Sequence, residues 1–186
     1  MEIPWVANQL VLAISHSAIY FPLCTVPISF YAPTIADSLF WYHMDFAVRL
    51  ASSGWDRVAL LLDIAFELDT RRECSLSRVL QDIPRTCPDV VRVDSFKRLK
   101  KFRDGAFADI EGPASLGSRH EITHIMSPSI RLFCEFLETW TGQAGKVLPA
   151  ERAEERLKLV IRHHGLLLEG IGAAIELVSW KWPTKQ

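Results

Sequence analysis

The chain lacks a Cys-x-x-Cys pair: Cys24, Cys74, Cys87 and Cys134 are scattered. That argues against a zinc knuckle or a disulfide framework and predicts reduced thiols in a cytoplasm. It also lacks an excess of either charge. Its 21 Lys and Arg residues meet 22 Asp and Glu, for a formal net charge of -1, so a polyanion would have to be held by a local patch. Internal repeats, low-complexity tracts and strand-type alternation are missing too. The longest apolar stretch, residues 5–21, is broken by Asn8, Gln9, Ser15, His16 and Ser17 before it could span a bilayer, and Glu2 stands where a secretion signal would be positive. No membrane partner is therefore expected.

What is present is a chain 49% hydrophobic and 23% charged, a balance that belongs to a folded globule and not to a disordered tail. Its 186 residues are enough for one domain with its own core. Ile3, Val6, Ala7, Leu10, Val11 and Ile14 fall at helical spacing and predict an amphipathic helix packed on the body. Pro22, Pro27 and Pro33 predict an extended or irregular segment after it, so residues 1–35 form an N-terminal helix and proline-rich segment and residues 36–182 the bundle proper.

Apolar positions recur at threes and fours over residues 36–68, including Leu39, Phe40, Phe46, Leu50, Val58, Leu62 and Phe66, with a possible bend at Gly54 in Ser52-Ser53-Gly54. Ser75 or Ser77 opens a short helix that Pro84 should stop, and Asp94 or Ser95 caps another through Phe96, Leu99, Phe102 and Phe107. Helices are also expected from the Gly117–Met126 stretch, through Ile130, Phe133, Leu137 and Trp140, and over residues 150–180. The fold class is all-α: a helical bundle with two long core helices.

The stretch G-S-R-H-E-I-T-H-I-M, Gly117 to Met126, can be read in two frames. From His120 it is H-E-x-x-H, in which His120 and His124 share one helix face at a metal's reach and Glu121 serves as general base of a zinc protease. Zinc would then be the cofactor. A third ligand is needed, however, and Ser127 stands where the metzincin glycine belongs. Glu135 and Glu138 would have to fold straight back on the motif helix, and no strand edge is predicted to hold a peptide.

From Arg119 the same letters give Arg, polar, any three residues, His. Arg119-His120-Glu121-Ile122-Thr123-His124 resembles the motif of the HEPN superfamily, and F-W-Y-H-M-D-F-A-V-R-L-A-S-S-G-W-D-R-V-A-L-L-L, from Phe40 to Leu62, resembles the early core helix of a bacterial branch of it. The resemblance covers residues 36–140. It implies a small helical bundle acting as a metal-independent endoribonuclease, in many cases a toxin or defence effector, without cofactor and working as a homodimer with an antitoxin partner protein.

Cutting RNA without metal needs a base for the ribose 2'-hydroxyl, an acid for the leaving 5'-oxygen and a cation for the charged phosphorane. His124 can serve as base or acid, and Arg119 as the forked cation. Residues five apart on a helix point about 140° from each other, so a two-fold dimer with facing motifs would supply the missing second histidine. His120 is the variable polar member, and Asp56 is a candidate partner for Arg119. Lys97, Arg98, Lys100, Lys101 and Arg103 give the following helix a basic face that could track an RNA backbone, or be merely solvated.

Plainer roles fit other residues. Arg119 and His124 themselves suit a helix start and a half-buried histidine. Of His163 and His164, about 100° apart on a helix, one should face the core and one the solvent. His16 and His43 have no partner near in sequence, Trp41, Trp55 and Trp140 read as core, and Trp180 or Trp182 could stack on a base. Three classes stay open: nuclease or degenerate RNA-binding relative, zinc protease, and non-catalytic interaction module.

Overall fold

The computed structural model describes residues 3–24, 35–68, 74–111 and 149–183. These form an all-α bundle: α1 (Ile3–Cys24), α2 (Ile35–Ala65), α3 (Leu76–Thr86), a 3-10 turn (Pro88–Arg92), α4 (Asp94–Glu111) and α5 (Pro149–Lys181). No strand occurs among the described residues. The two long core helices are α2, with 31 residues, and α5, with 33.

Helix directions follow from which residues meet. His16 faces His43 and Phe21 faces Phe40, with ring centroids 4.6 and 6.0 Å apart, so numbering rises on α1 as it falls on α2 and the pair is an antiparallel hairpin. Gly54 lies against Leu167, and the Trp182 indole donates to the Ala65 carbonyl, which makes α2 and α5 parallel. Arg98 meets Glu176 while Gly105 approaches Leu166, so α4 runs antiparallel to α5.

Burial explains why α2 sits at the centre. Phe40, Met44, Ala47, Ala51, Trp55, Val58 and Leu62, at steps of three and four, are almost wholly buried and join Leu10 from α1, Phe96 and Leu99 from α4, and Leu167 and Leu177 from α5 in one core. Each fully buried Leu or Phe contributes about 1.5–3 kcal/mol relative to exposure.

The α2–α5 contact is unusually close at two glycines. A Cβ at Gly170 would lie 2.6 Å from two ring carbons of Trp55, and one at Gly54 would lie 2.5 Å from a methyl of Leu167. Neither contact leaves room for a side chain. Gly54 therefore acts through close packing in an uninterrupted helix, and the bend expected at Ser52-Ser53-Gly54 does not break α2. The helix ends in a Schellman arrangement. Glu67 takes a positive φ of 55°, its N–H donates to the Ile64 carbonyl, and that of Leu68 donates back to Asp63.

Ser75 is the N-cap of α3, its hydroxyl accepting from the Arg78 N–H at 3.4 Å. Pro84 does not stop that helix, which continues to Thr86; so close to the C-terminus, proline removes one ladder bond without stopping the turn. Pro22 likewise lies inside the last turn of α1. Val11 and Phe46, expected in the core, are 44% and 39% exposed. Ile3, Val6, Leu10, Ala13 and Ser17 are the buried stripe of α1.

Candidate functional site

Arg119, His120, Glu121 and His124 all lie outside the described residues, as do Trp140, Cys134, Glu135 and Glu138. The pairing of Asp56 with Arg119 falls outside them for the same reason. Asp56 itself is half-buried on α2, one residue beyond the buried Trp55.

The basic helix is described up to the point where the motif segment begins. Phe96, Leu99 and Phe102 turn inward, and their spacing leaves Lys97, Lys100 and Lys101 exposed as neighbours at i, i+3 and i+4. The Lys100 ammonium stands 5.9 Å from the Phe96 ring centroid, so its stem covers the core while its charge stays in water. Arg98 differs: it bridges Asp94, at 3.3 Å, and Glu176 of α5. Arg103 is held by its neighbour Asp104. Of the five cations expected on this face, three lysines point their charge outward and two arginines are tied to carboxylates of the bundle.

The histidines divide by environment. His163 is wholly buried and its Nε2 lies 2.8 Å from Trp55 Nε1. An indole N–H only donates, so Nε2 must carry the lone pair and the ring proton must sit on Nδ1. Burial, followed by the nearby Arg162 charge, lowers its pKa from 6.5 to about 4. At neutral pH this histidine is an uncharged acceptor that fixes the indole over Gly170. His164, its neighbour, is half-buried with a pKa lowered by desolvation. His163 is the inward member expected from the sequence, whereas His164, expected to face solvent, is half-buried.

His16 and His43 come together across the α1–α2 hairpin, edge to face, with Tyr20 stacked on His43 at 6.0 Å and Tyr42 edge-on at 5.3 Å. Desolvation and then the proximity of His16 lower the pKa of His43. Nothing in the sequence pairs residues 27 positions apart until the hairpin is formed. Trp55 is buried and Trp41 half-buried, whereas Trp180 and Trp182 are largely exposed. Trp182 nevertheless uses its N–H on Ala65 at 2.9 Å. Among the described residues no group of three or more His, Cys, Asp or Glu side chains could hold a metal ion; His120 and His124 lie outside that set.

Comparison with family models, curated proteins and solved structures finds no match to this chain.

Proposed function

We propose that the protein is a metal-independent endoribonuclease of HEPN type, acting as a homodimer in the cytoplasm, with RNA as substrate and a neutralising protein partner. The observation that carries this reading is the motif Arg119-x-x-x-x-His124, which follows in the chain a helix whose outer face presents Lys97, Lys100 and Lys101. An all-helical bundle with a long central helix is the scaffold the motif resemblance calls for, and that supports the reading at the level of fold class.

In the proposed reaction the lysines hold the phosphate backbone by charge. His124 of one copy takes the proton of the ribose 2'-hydroxyl, whose oxygen attacks the adjacent phosphorus. His124 of the second copy gives a proton to the departing 5'-oxygen. Arg119 stabilises the phosphorane, His120 orients the phosphate, and Asp56 positions Arg119. The products are a 2',3'-cyclic phosphate and a free 5'-hydroxyl. All bonds are exchanged within the substrate, so no cofactor is required.

The test is RNA cleavage in the presence of a chelator, with end-group analysis. Cyclic phosphate ends, and loss of about 10²–10⁴-fold in rate for His124→Ala or Arg119→Ala with Glu121→Gln still active, are expected. RNA cleavage abolished by chelation would sink the metal-independent mechanism, and peptide hydrolysis lost in Glu121→Gln would replace this reading with the zinc-protease one. RNA binding without cleavage would leave the degenerate binding relative.

A further inference from the structure

Helix α1 has 22 residues and not one Asp, Glu, Lys or Arg among them. Its inner stripe, from Ile3 to Ser17, is buried against the bundle. Its outer side is apolar as well: Trp5, Leu12 and Ile19 repeat every seven residues, with Leu23 one turn further. On α2 the same spacing sets Ile35, Tyr42 and Phe46 on one side. These seven residues are between 39% and 81% exposed. Of the neighbouring helices, α4 spends its outer face on Lys97, Lys100 and Lys101, whereas α5 intersperses Glu154, Lys158, Glu169 and Glu176 with exposed Ile161, Leu168 and Ile175.

The two stripes are one surface. His16 follows Leu12 by one turn and precedes Ile19 by three residues; His43 is one turn past Leu39 and three residues before Phe46. Their rings touch at 4.6 Å, and Tyr42 touches His43. The apolar face therefore continues from α1 across the histidines onto α2. Asp45 and Arg49 stand at its far margin, one turn round α2, and Asn8 and Ser15 at its α1 margin.

We infer that this face of the α1–α2 hairpin is the docking surface for a second copy of the chain. The seven side chains expose roughly 800 Å², which is about what each partner buries in a stable interface of standard size. It exceeds the roughly 300–600 Å² of the largest apolar patch on an ordinary monomer. A two-fold axis sets a surface against itself, and a face whose seven apolar side chains carry no charge, with Asp45 and Arg49 of opposite sign at its margin, can meet its own copy without a block of like charges opposing. The centre holds aromatic rings, the α1 margin Asn8 and Ser15, and the α2 margin Asp45 and Arg49, an apolar centre with a polar rim that is the anatomy of a protein interface. By length and composition Ile3–Leu23 could cross a membrane, against the expectation that Asn8, Gln9 and Ser15 to Ser17 break the run too early, yet a lipid surface fits less well. Interfacial helices carry Lys and Arg along the water line, α1 has none, and a membrane-spanning α1 would have to withdraw Val6, Leu10 and Ala13 from the core they share with α2.

The inference rests on the two-copy part of the reading above and is independent of its chemistry. Sedimentation of the full chain without RNA tests it. The wild type is expected to be a dimer at micromolar concentration, and Ile19→Glu and Tyr42→Glu to be monomers with the helical circular dichroism of the wild type, with dissociation constants raised about 100-fold or more. The two variants approach the face from different helices, so one that fails to fold leaves the other to decide. A wild type that stays monomeric, or a dimer indifferent to both substitutions, overturns it. A monomeric wild type that floats with phosphatidylcholine–phosphatidylglycerol vesicles would assign the face to lipid and overturn it equally. A monomer that cuts RNA defeats the docking face together with the two-copy cleft, leaving a nuclease that works within one chain, whereas a dimer that both substitutions break but that never cuts RNA defeats the nuclease alone.

Discussion

Helices α1 and α4 have the same task on their inner sides and opposite solutions on their outer ones. Each lays one apolar stripe on the bundle, Val6, Leu10 and Ala13 in the first and Phe96, Leu99 and Phe102 in the second. Outside, α4 shows lysines and α1 shows Trp5, Leu12 and Ile19. The inner stripes follow from the need to bury area and say little about function. The outer faces are free of that need, so they are where the chain declares what it meets: a charged, solvated or phosphate-bearing environment at α4, another apolar surface at α1.

That contrast can be broken most severely from inside. Phe96→Ala should cost about 3–5 kcal/mol and Leu10→Ala about 2–5 kcal/mol in urea unfolding, because both leave cavities in the shared core. Equal and large losses are the expected outcome. A loss below about 1 kcal/mol for Leu10→Ala would mean that α1 is not seated as described.

Acid sharpens the contrast next, because it acts on the interior that both helices pack against. The His163 pKa is lowered in the folded chain, from 6.5 to about 4, so its neutral form is the folded one. Its contribution is complete above pH 6.5 and is lost as pH falls toward 4, when the unfolded chain gains a proton that the folded chain cannot accept. A span of that size corresponds to up to ~3 kcal/mol. Urea unfolding at pH 7 and pH 4.5 should show a smaller acid penalty for His163→Gln than for the wild type.

The gentlest change belongs to the outer face of α4. Replacing Lys97, Lys100 and Lys101 by Ala should alter stability by less than about 0.5 kcal/mol. If the proposed nuclease holds RNA there, the same triple variant should flatten the salt dependence of binding, by a log–log slope of roughly 2 on single strands. A wild-type salt slope left intact would return these lysines to ordinary solvated residues.

Much of the bundle was legible because periodicity and breakers are local. The long helices expected over 36–68 and 150–180 are Ile35–Ala65 and Pro149–Lys181, and the Ser75 cap stands where its hydroxyl suggested. Val11 and Phe46 were misplaced because a helix apolar on both sides gives the hydrophobic pattern no direction. The lysine face was legible from spacing, but the ion pair taking Arg98 out of it comes from Glu176, 78 residues away. Trp55 with His163 and His16 with His43 were hidden likewise, since each is made by topology and not by neighbourhood in sequence. The motif that carries the proposed chemistry falls outside the described residues, so its geometry adds nothing to what its letters suggest.

The bond from the Trp182 indole to the Ala65 carbonyl spans 117 positions, and it says something about time. At about 5–20 residues added per second, roughly 6–23 seconds separate the synthesis of the two partners. Through that interval the end of α2 waits without the indole, and Trp55 waits for His163, while the α1–α2 hairpin can already have closed. Synthesis order therefore favours a hairpin first and a bundle only later, with the flank of α2 that α5 will cover open to solvent or to a chaperone in between.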